Sequence, residues 1–167
     1  MGYGRIRLGK TKRIFITDYQ RGVWYRDGAF AGILGPCSRS FSLGNQIVLV
    51  DMRPVHFIIE SIPYNDALHN PAVISIGAEL KVSDPHVASN TLKNQVNDSV
   101  AIVRDAIRIF LSKMIVDSAM DLRATIARDI EAAANMDLNK VGMQISDLEI
   151  TEAWSRAVGP PATAGAN

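Results

Sequence analysis

One stretch constrains the fold of this chain more than any other, residues 47–60, which read IVLVDMRPVHFIIE. It is rich in β-branched and aromatic side chains and holds neither a glycine nor a helix-capping pattern, so its preference is for extended structure. Pro54 interrupts it. Proline has no backbone N–H and a fixed φ, so the strand must bend, bulge or leave a position unpaired there. The stretch is therefore expected to form the central strand pair of a sheet, in two parts. Before the proline Ile47, Val48, Leu49 and Val50 are all apolar, as suits a strand covered on both faces. After it Val55, Phe57 and Ile59 alternate with His56, Ile58 and Glu60. Asp51 and Arg53 lie two residues apart, on one face of an extended chain, placed to pair with each other or with a neighbouring strand.

The remaining segments follow from local signals. Residues 1–12 hold three glycines and little to bury, and are expected to form a flexible arm. Residues 13–17 (RIFIT) read as a first strand. Residues 23–26 and 29–34 flank Asp27-Gly28, a pair that supplies the positive φ of a two-residue hairpin. Gly35-Pro36 and residues 38–42 read as a loop, with Gly44-Asn45 as the turn into the central strand. Residues 61–71, with two prolines, read as a connection with room for one short strand. Residues 72–82 alternate apolar with smaller or polar side chains, predicting a strand with one core face and one solvent face.

Ser83-Asp84-Pro85 stops that strand and starts a helical turn to about Leu92. The spacing of Val96, Val100, Val103, Ile107, Phe110, Leu111 and Met114 predicts a helix over 97–114. Ser118 and Asp121 resemble a capping box opening a second helix to about Asn135, with Leu122, Ile126 and Ile130 on one stripe. Residues 143–151 return to strand. Their apolar phase shifts between Met143/Ile145 and Leu148/Ile150, which predicts a bulge near Ser146-Asp147. The tail 159–167 (GPPATAGAN) has the composition of a disordered linker. Strands, then helices, then a last strand, without β-α-β alternation, predict an α+β domain over 13–151. It comprises a mainly antiparallel, bent sheet (13–82), helices packed on one side (86–135) and a C-terminal strand (143–151).

The same residues bound the chemistry. Cys37 is the only cysteine, which excludes an intramolecular disulfide and a cysteine-rich zinc site. No catalytic signature surrounds it, and it reads as an ordinary loop thiol. His56, His69 and His86 lack the spacing of a metal site. Asp51, Glu60, Asp66 and Glu79 read as solvated or cross-strand carboxylates. GYGRIRLGK lacks the ending of a phosphate loop. No enzyme activity, cofactor or metal is expected. No apolar run reaches the ~18 residues that cross a bilayer, so the chain as given is expected to be soluble.

A net charge of +1 argues against a surface built for nucleic acid. Arg5, Arg7, Lys10, Lys12 and Arg13 nevertheless form a basic cluster with no acidic residue among them, suited to anionic lipid headgroups. Trp24, Tyr25 and Phe30, around the hairpin, are amphipathic or apolar rings of the kind that favour a membrane interface. On the second helix Arg123, Arg128, Glu131 and the small Ala132 are candidates for a subunit interface.

Three segments, RGVWYRDGAFAGILGP with Trp24 to Asp27 inside it, then VDMRP, then a strand ending in KVSDPHVA, resemble the band 7 family, also called the stomatin or prohibitin homology (SPFH) domain. The resemblance runs from about Ile14 to Ile150 and is of the stomatin-like or slipin-like kind. It implies the α+β architecture above and a non-catalytic, membrane-associated scaffold, peripheral on the cytoplasmic face. Such a scaffold assembles with itself and organises lipids or a membrane protein such as a protease or channel. A soluble regulatory module for such a protease or channel is the alternative implied.

Overall fold

A computed structural model describes residues 4–7, 11–42, 44–92, 94–113 and 123–155. In chain order these form β1 (Gly4–Arg7), β2 (Lys12–Ile16), β3 (Gln20–Arg26), β4 (Ala29–Leu34), β5 (Cys37–Phe41), β6 (Asn45–Asp51), β7 (Val55–Asn65) and β8 (Pro71–Val82). Helices α1 (Pro85–Thr91), α2 (Gln95–Leu111) and α3 (Arg123–Leu138), a 3-10 turn (Asn139–Val141) and β9 (Met143–Ser155) complete them. The architecture is α+β. The strands make a four-stranded sheet in the order β1-β6-β3-β4, a two-stranded β2-β5 pair and a three-stranded β7-β8-β9 sheet. The chain divides into two compact units. Unit 1 holds Met1–Val55, Leu80–Ser99 and Leu138–Gln144; unit 2 holds His56–Glu79, Val100–Asp137 and Ile145–Asn167.

In unit 1, β6 is the strand the others pair with, antiparallel to β1 through Ile6↔Ile47 and to β3 through Val23↔Val48. Both faces of β6 are covered, with Ile47, Val48 and Val50 buried. Ile47 shares a core with Ile14, Ile16 and Phe41 from the β2-β5 pair. The β3-β4 hairpin turns on Asp27 (φ 51°) and Gly28 (φ 84°), the two left-handed residues its tight connection requires. Asp84 caps α1, its Oδ1 accepting from the N–H groups of His86 (2.8 Å) and Val87 (3.1 Å), with Pro85 in the first turn. Gly142 follows the 3-10 turn in left-handed conformation (φ 74°), and its carbonyl accepts from the N–H groups of Ser83 (3.0 Å) and Asp84 (3.1 Å).

In unit 2, β8 lies between β7 and β9 and presents buried Ala72, Ile74, Ile76 and Ala78 on one face. The helices contribute Val103, Ile107 and Leu111 from α2 and Ile126, Ile130 and Ala134 from α3. Two side chains tie α3 to β9. Asn135 donates to the Ile145 carbonyl (3.0 Å) and accepts from its N–H (2.8 Å), and Glu131 accepts from the Leu148 N–H (3.2 Å). The backbone of β9 turns left-handed at Asp147 (φ 53°), where the sequence places a bulge, and this moves the buried set from Met143 and Ile145 to Leu148 and Ile150.

Several expectations are corrected. Residues 47–60 do not supply two neighbouring strands of one sheet, because at Pro54 the chain leaves the four-stranded sheet and β7 begins a different one. Gly4–Arg7, expected within a flexible arm, pairs with β6, since the alternation around Ile6 suits a strand and β6 offers a ladder to receive it. Residues 37–41 form β5, not a loop; Cys37, Arg39 and Phe41 share the face of Ile14 and Ile16, and of these Cys37 and Phe41 pack on the apolar cluster. Strand β7 runs on to Asn65, its Pro63 being tolerated because β7 is an edge strand.

The second face of β8 is also buried. Val73 and Ser75 are covered there, and Gly77 lies under the Glu149 side chain, because small residues on a central strand are overshadowed by longer neighbours. The first long helix spans Gln95–Leu111, and α3 continues to Leu138 because Asn135 bonds β9 and does not end the helix. The capping pair Ser118 and Asp121 and the tail 159–167 lie outside the described residues.

The turn that ends β6 is held by the Asp51–Arg53 pair. Asp51 Oδ1 accepts from Arg53 N (3.0 Å) and Nε (3.0 Å), and Oδ2 accepts from Nη2 (2.5 Å). The guanidinium lies 4.5 Å from the Tyr19 ring centroid. The Arg53 side-chain hydrogen bond holds the Asp51 carboxyl below the usual carboxylate range, against partial burial, which pushes it up.

Two predictions follow from this packing. A Cβ at residue 142 would collide with the Asp84 carbonyl oxygen and lie 2.6 Å from the Ala88 nitrogen, whereas one at Gly28 would meet nothing within 4 Å. Both positions have positive φ, so Gly28→Ala is expected to cost about 1 kcal/mol and Gly142→Ala on the order of 3 kcal/mol, measured by urea unfolding. For Asp51 the native pKa is depressed, so the pair stabilises the fold above the unfolded value of about 3.9 and loses that contribution as pH falls through the native value. Wild type is expected to exceed Asp51→Asn in stability at pH 7, and the gap should close below about pH 4 in urea titrations run as a function of pH.

Candidate functional site

The β2-β5 pair in unit 1 has two unlike faces because its antiparallel register sorts side chains by alternation. Ile14 pairs with Arg39 and Ile16 with Cys37, and the two isoleucines turn into the core beside Phe41 and Ile47. Arg13 pairs with Ser40 and Phe15 with Ser38, and this face is solvent-exposed. Phe15 is 65% exposed, an uncommon position for a phenylalanine. The Arg13 Nε donates to Ser38 Oγ (2.8 Å), and its guanidinium lies 5.6 Å from the Phe15 ring centroid. The exposed Lys12 precedes it. An apolar ring is thus set beside one cation and two hydroxyls. That combination suits an interface between water and an anionic apolar phase, where rings partition to the boundary and cations stay with headgroups.

The other basic and aromatic candidates are placed differently. Gly4–Arg7 carries the backbone of Arg5 and Arg7 into the four-stranded sheet, and Lys10 lies outside the described residues. Trp24 is half-buried, its Nε1 donating to Asn45 Oδ1 (2.7 Å), and the Asn45 amide donates in turn to the Ser42 carbonyl (2.8 Å). The Arg26 and Arg39 guanidiniums lie 5.1 Å and 5.8 Å from the Trp24 ring. Tyr25 accepts from the Asn90 amide (2.7 Å), and Phe30 stacks on the His86 ring at 3.9 Å, so these two aromatics join the β3-β4 hairpin to α1. Phe30 remains 47% exposed.

On α3, Arg128 and Ala132 are exposed and Arg123 is half-buried, while Glu131 is half-buried and bonded to β9. Arg123 and Arg128 line a hollow of about 430 Å³ in unit 2 with Ala127, Leu148, Glu149 and Ile150. Cys37 packs against the Ile14–Phe41 cluster. His56 Nε2 lies 3.2 Å from Glu79 Oε2. Among the described residues no group of three His, Cys, Asp or Glu side chains could hold a metal ion. No helix among them is long and apolar enough to cross a membrane.

Phe15 and Arg39 were not singled out by the sequence. The pattern Lys12-Arg13-Ile14-Phe15-Ile16 does show that Arg13 and Phe15 share a face, but three large apolar residues in a row leave open which face is core.

The family model described as SPFH domain / Band 7 family matches residues 14–154, from β2 into the last strand. No curated protein matches the chain.

Proposed function

The chain belongs to the SPFH domain / Band 7 family, which is membrane-associated, and from that premise we propose that it is a non-catalytic scaffold that sits peripherally on the cytoplasmic face of a membrane, assembles with itself and organises lipids or membrane proteins there. The observation that carries the membrane contact is the exposed Phe15 beside Arg13 on the outer face of β2-β5, with the exposed Lys12 next to Arg13 in the strand. Each cation contributes on the order of 1 kcal/mol near an anionic surface. The ring adds the gain of moving apolar area out of water. One copy therefore binds weakly, and tight attachment comes from many copies engaging one surface together. A membrane protease or channel held in such an array is organised by proximity.

Flotation with vesicles tests the membrane contact. The chain is expected to float with phosphatidylserine-containing vesicles at low salt, and to stay behind with pure phosphatidylcholine or at high salt. Lys12→Glu combined with Arg13→Glu should weaken binding at least tenfold. Phe15→Ser should weaken it while leaving urea stability within about 0.5 kcal/mol of wild type, as expected of an exposed position. Equal binding to both vesicle types, or none, overturns this contact.

A further inference from the structure

The formal charge of the chain is divided between its two units. Unit 1 carries twelve Lys and Arg against five Asp and Glu, a net +7, and unit 2 carries six against twelve, a net −6, which together leave the +1 of the whole. A near-neutral chain thus consists of a strongly basic part and a strongly acidic part.

In unit 2 the negative charge gathers on the open face of the β7-β8-β9 sheet. Two adjoining hollows of about 340 and 450 Å³ share Ile58 in their lining. Asp147 and Glu149 line the first, and Glu60 and Glu152 the second. Ile58 is 68% exposed between them. Gly77 keeps the floor low, the Glu149 carboxylate lying across it. Among the described residues none of Glu60, Glu149 and Glu152 is paired with a cation. An exposed isoleucine ringed by unpaired carboxylates is a surface shaped for a partner with an apolar centre and a cationic rim.

Unit 1 carries that chemistry. Trp24 is fixed by its bond to Asn45, and the exposed Arg26 and Arg39 lie over its ring. A guanidinium resting on an aromatic ring is pre-ordered and keeps its in-plane N–H groups for carboxylates, and Trp with Arg is the pairing most enriched at the centre of protein interfaces.

We propose that the open face of the β7-β8-β9 sheet receives the Trp24–Arg26–Arg39 cluster of a second copy of this chain, a contact that rests on the self-assembly reading and supplies its interface. The two surfaces are different, so the contact is head-to-tail. Every copy keeps one face of each kind unfilled, and the assembly extends, closing as a ring if the rotation between copies closes and continuing as a filament if it does not. The contact is mostly exposed charge around a small apolar centre, so it weakens with salt.

The test uses the full chain without vesicles. One variant has the basic cluster neutralised (Arg26→Gln with Arg39→Gln), another the acidic face (Glu60→Gln with Glu149→Gln), each checked for folding by circular dichroism. In sedimentation velocity the wild-type mass is expected to rise with concentration and to fall between 50 and 500 mM NaCl, conditions on either side of strong screening. Each variant alone should associate at least tenfold more weakly. Mixed in equal amounts, they retain one working face of each kind and should form a dimer that grows no further. Ile58→Asp, at an exposed position, gives an independent route to the same loss.

A wild type that stays monomeric at every concentration overturns both this contact and the self-assembly reading. A wild type that assembles, with variants that assemble equally well or a mixture of folded variants that stays monomeric, overturns this contact alone.

Discussion

Proline at position 54 has no N–H to give to a ladder, and the division of the molecule depends on that missing donor. The apolar run on either side of it is long enough for one continuous strand, yet it feeds two compact units. Ile47, Val48 and Val50 are buried in unit 1, and Ile59, Ile62 and Tyr64 in unit 2. Asp51 fixes the departure by accepting both the Arg53 N–H and its guanidinium, while the Met52 N–H is held by the Tyr19 carbonyl at 2.8 Å. The N–H groups of the two residues before the proline are thereby both satisfied, as donors leaving a ladder require.

Features set by a few neighbouring residues were legible in the sequence. Asp27-Gly28 specifies its hairpin through positive φ at both positions, Asp84-Pro85 specifies the start of α1, and the phase slip in β9 requires the left-handed Asp147. The partition into sheets was not legible, because a period of two reveals which residues share a face and says nothing about which strand lies alongside. β5 illustrates the limit. CSRSF has the composition of a loop and is a strand only because the outward edge of KRIFI needs a partner. β8 illustrates another: its two faces look unequal by alternation, and both are buried because Glu149 and other long side chains of the flanking strands close over small residues.

The candidate surfaces divide in the same way. Lys12 and Arg13 could be picked out by charge alone, and their neighbour Phe15 could not, since nothing in a run of Ile-Phe-Ile says which residue is left outside. The assignment is made by Ile47 and Phe41, which together with Ile14 and Ile16 complete a core that has no place for Phe15. Likewise the acidic open face of unit 2 draws on strands far apart in sequence, from Glu60 on β7 to Glu149 and Glu152 on β9. Its charge is visible only once the chain is sorted into units.

Under the proposed contact, local bonding fits Trp24 for a role other than that of a membrane ring. Tryptophan at a membrane boundary works with its ring in the apolar layer and its N–H toward water or headgroups. Here the N–H is occupied by Asn45, itself held by Ser42, and guanidiniums rest over the ring. Taking that ring into an apolar phase would carry Arg26 and Arg39 with it or strip them away, and a desolvated guanidinium without a carboxylate is costly. A surface that brings carboxylates to meet the arginines avoids that cost. Phe15 has no polar end to satisfy and a single cation beside it, so the two aromatic sites of unit 1 are suited to different partners: Phe15 to a lipid boundary, Trp24 to an acidic protein face.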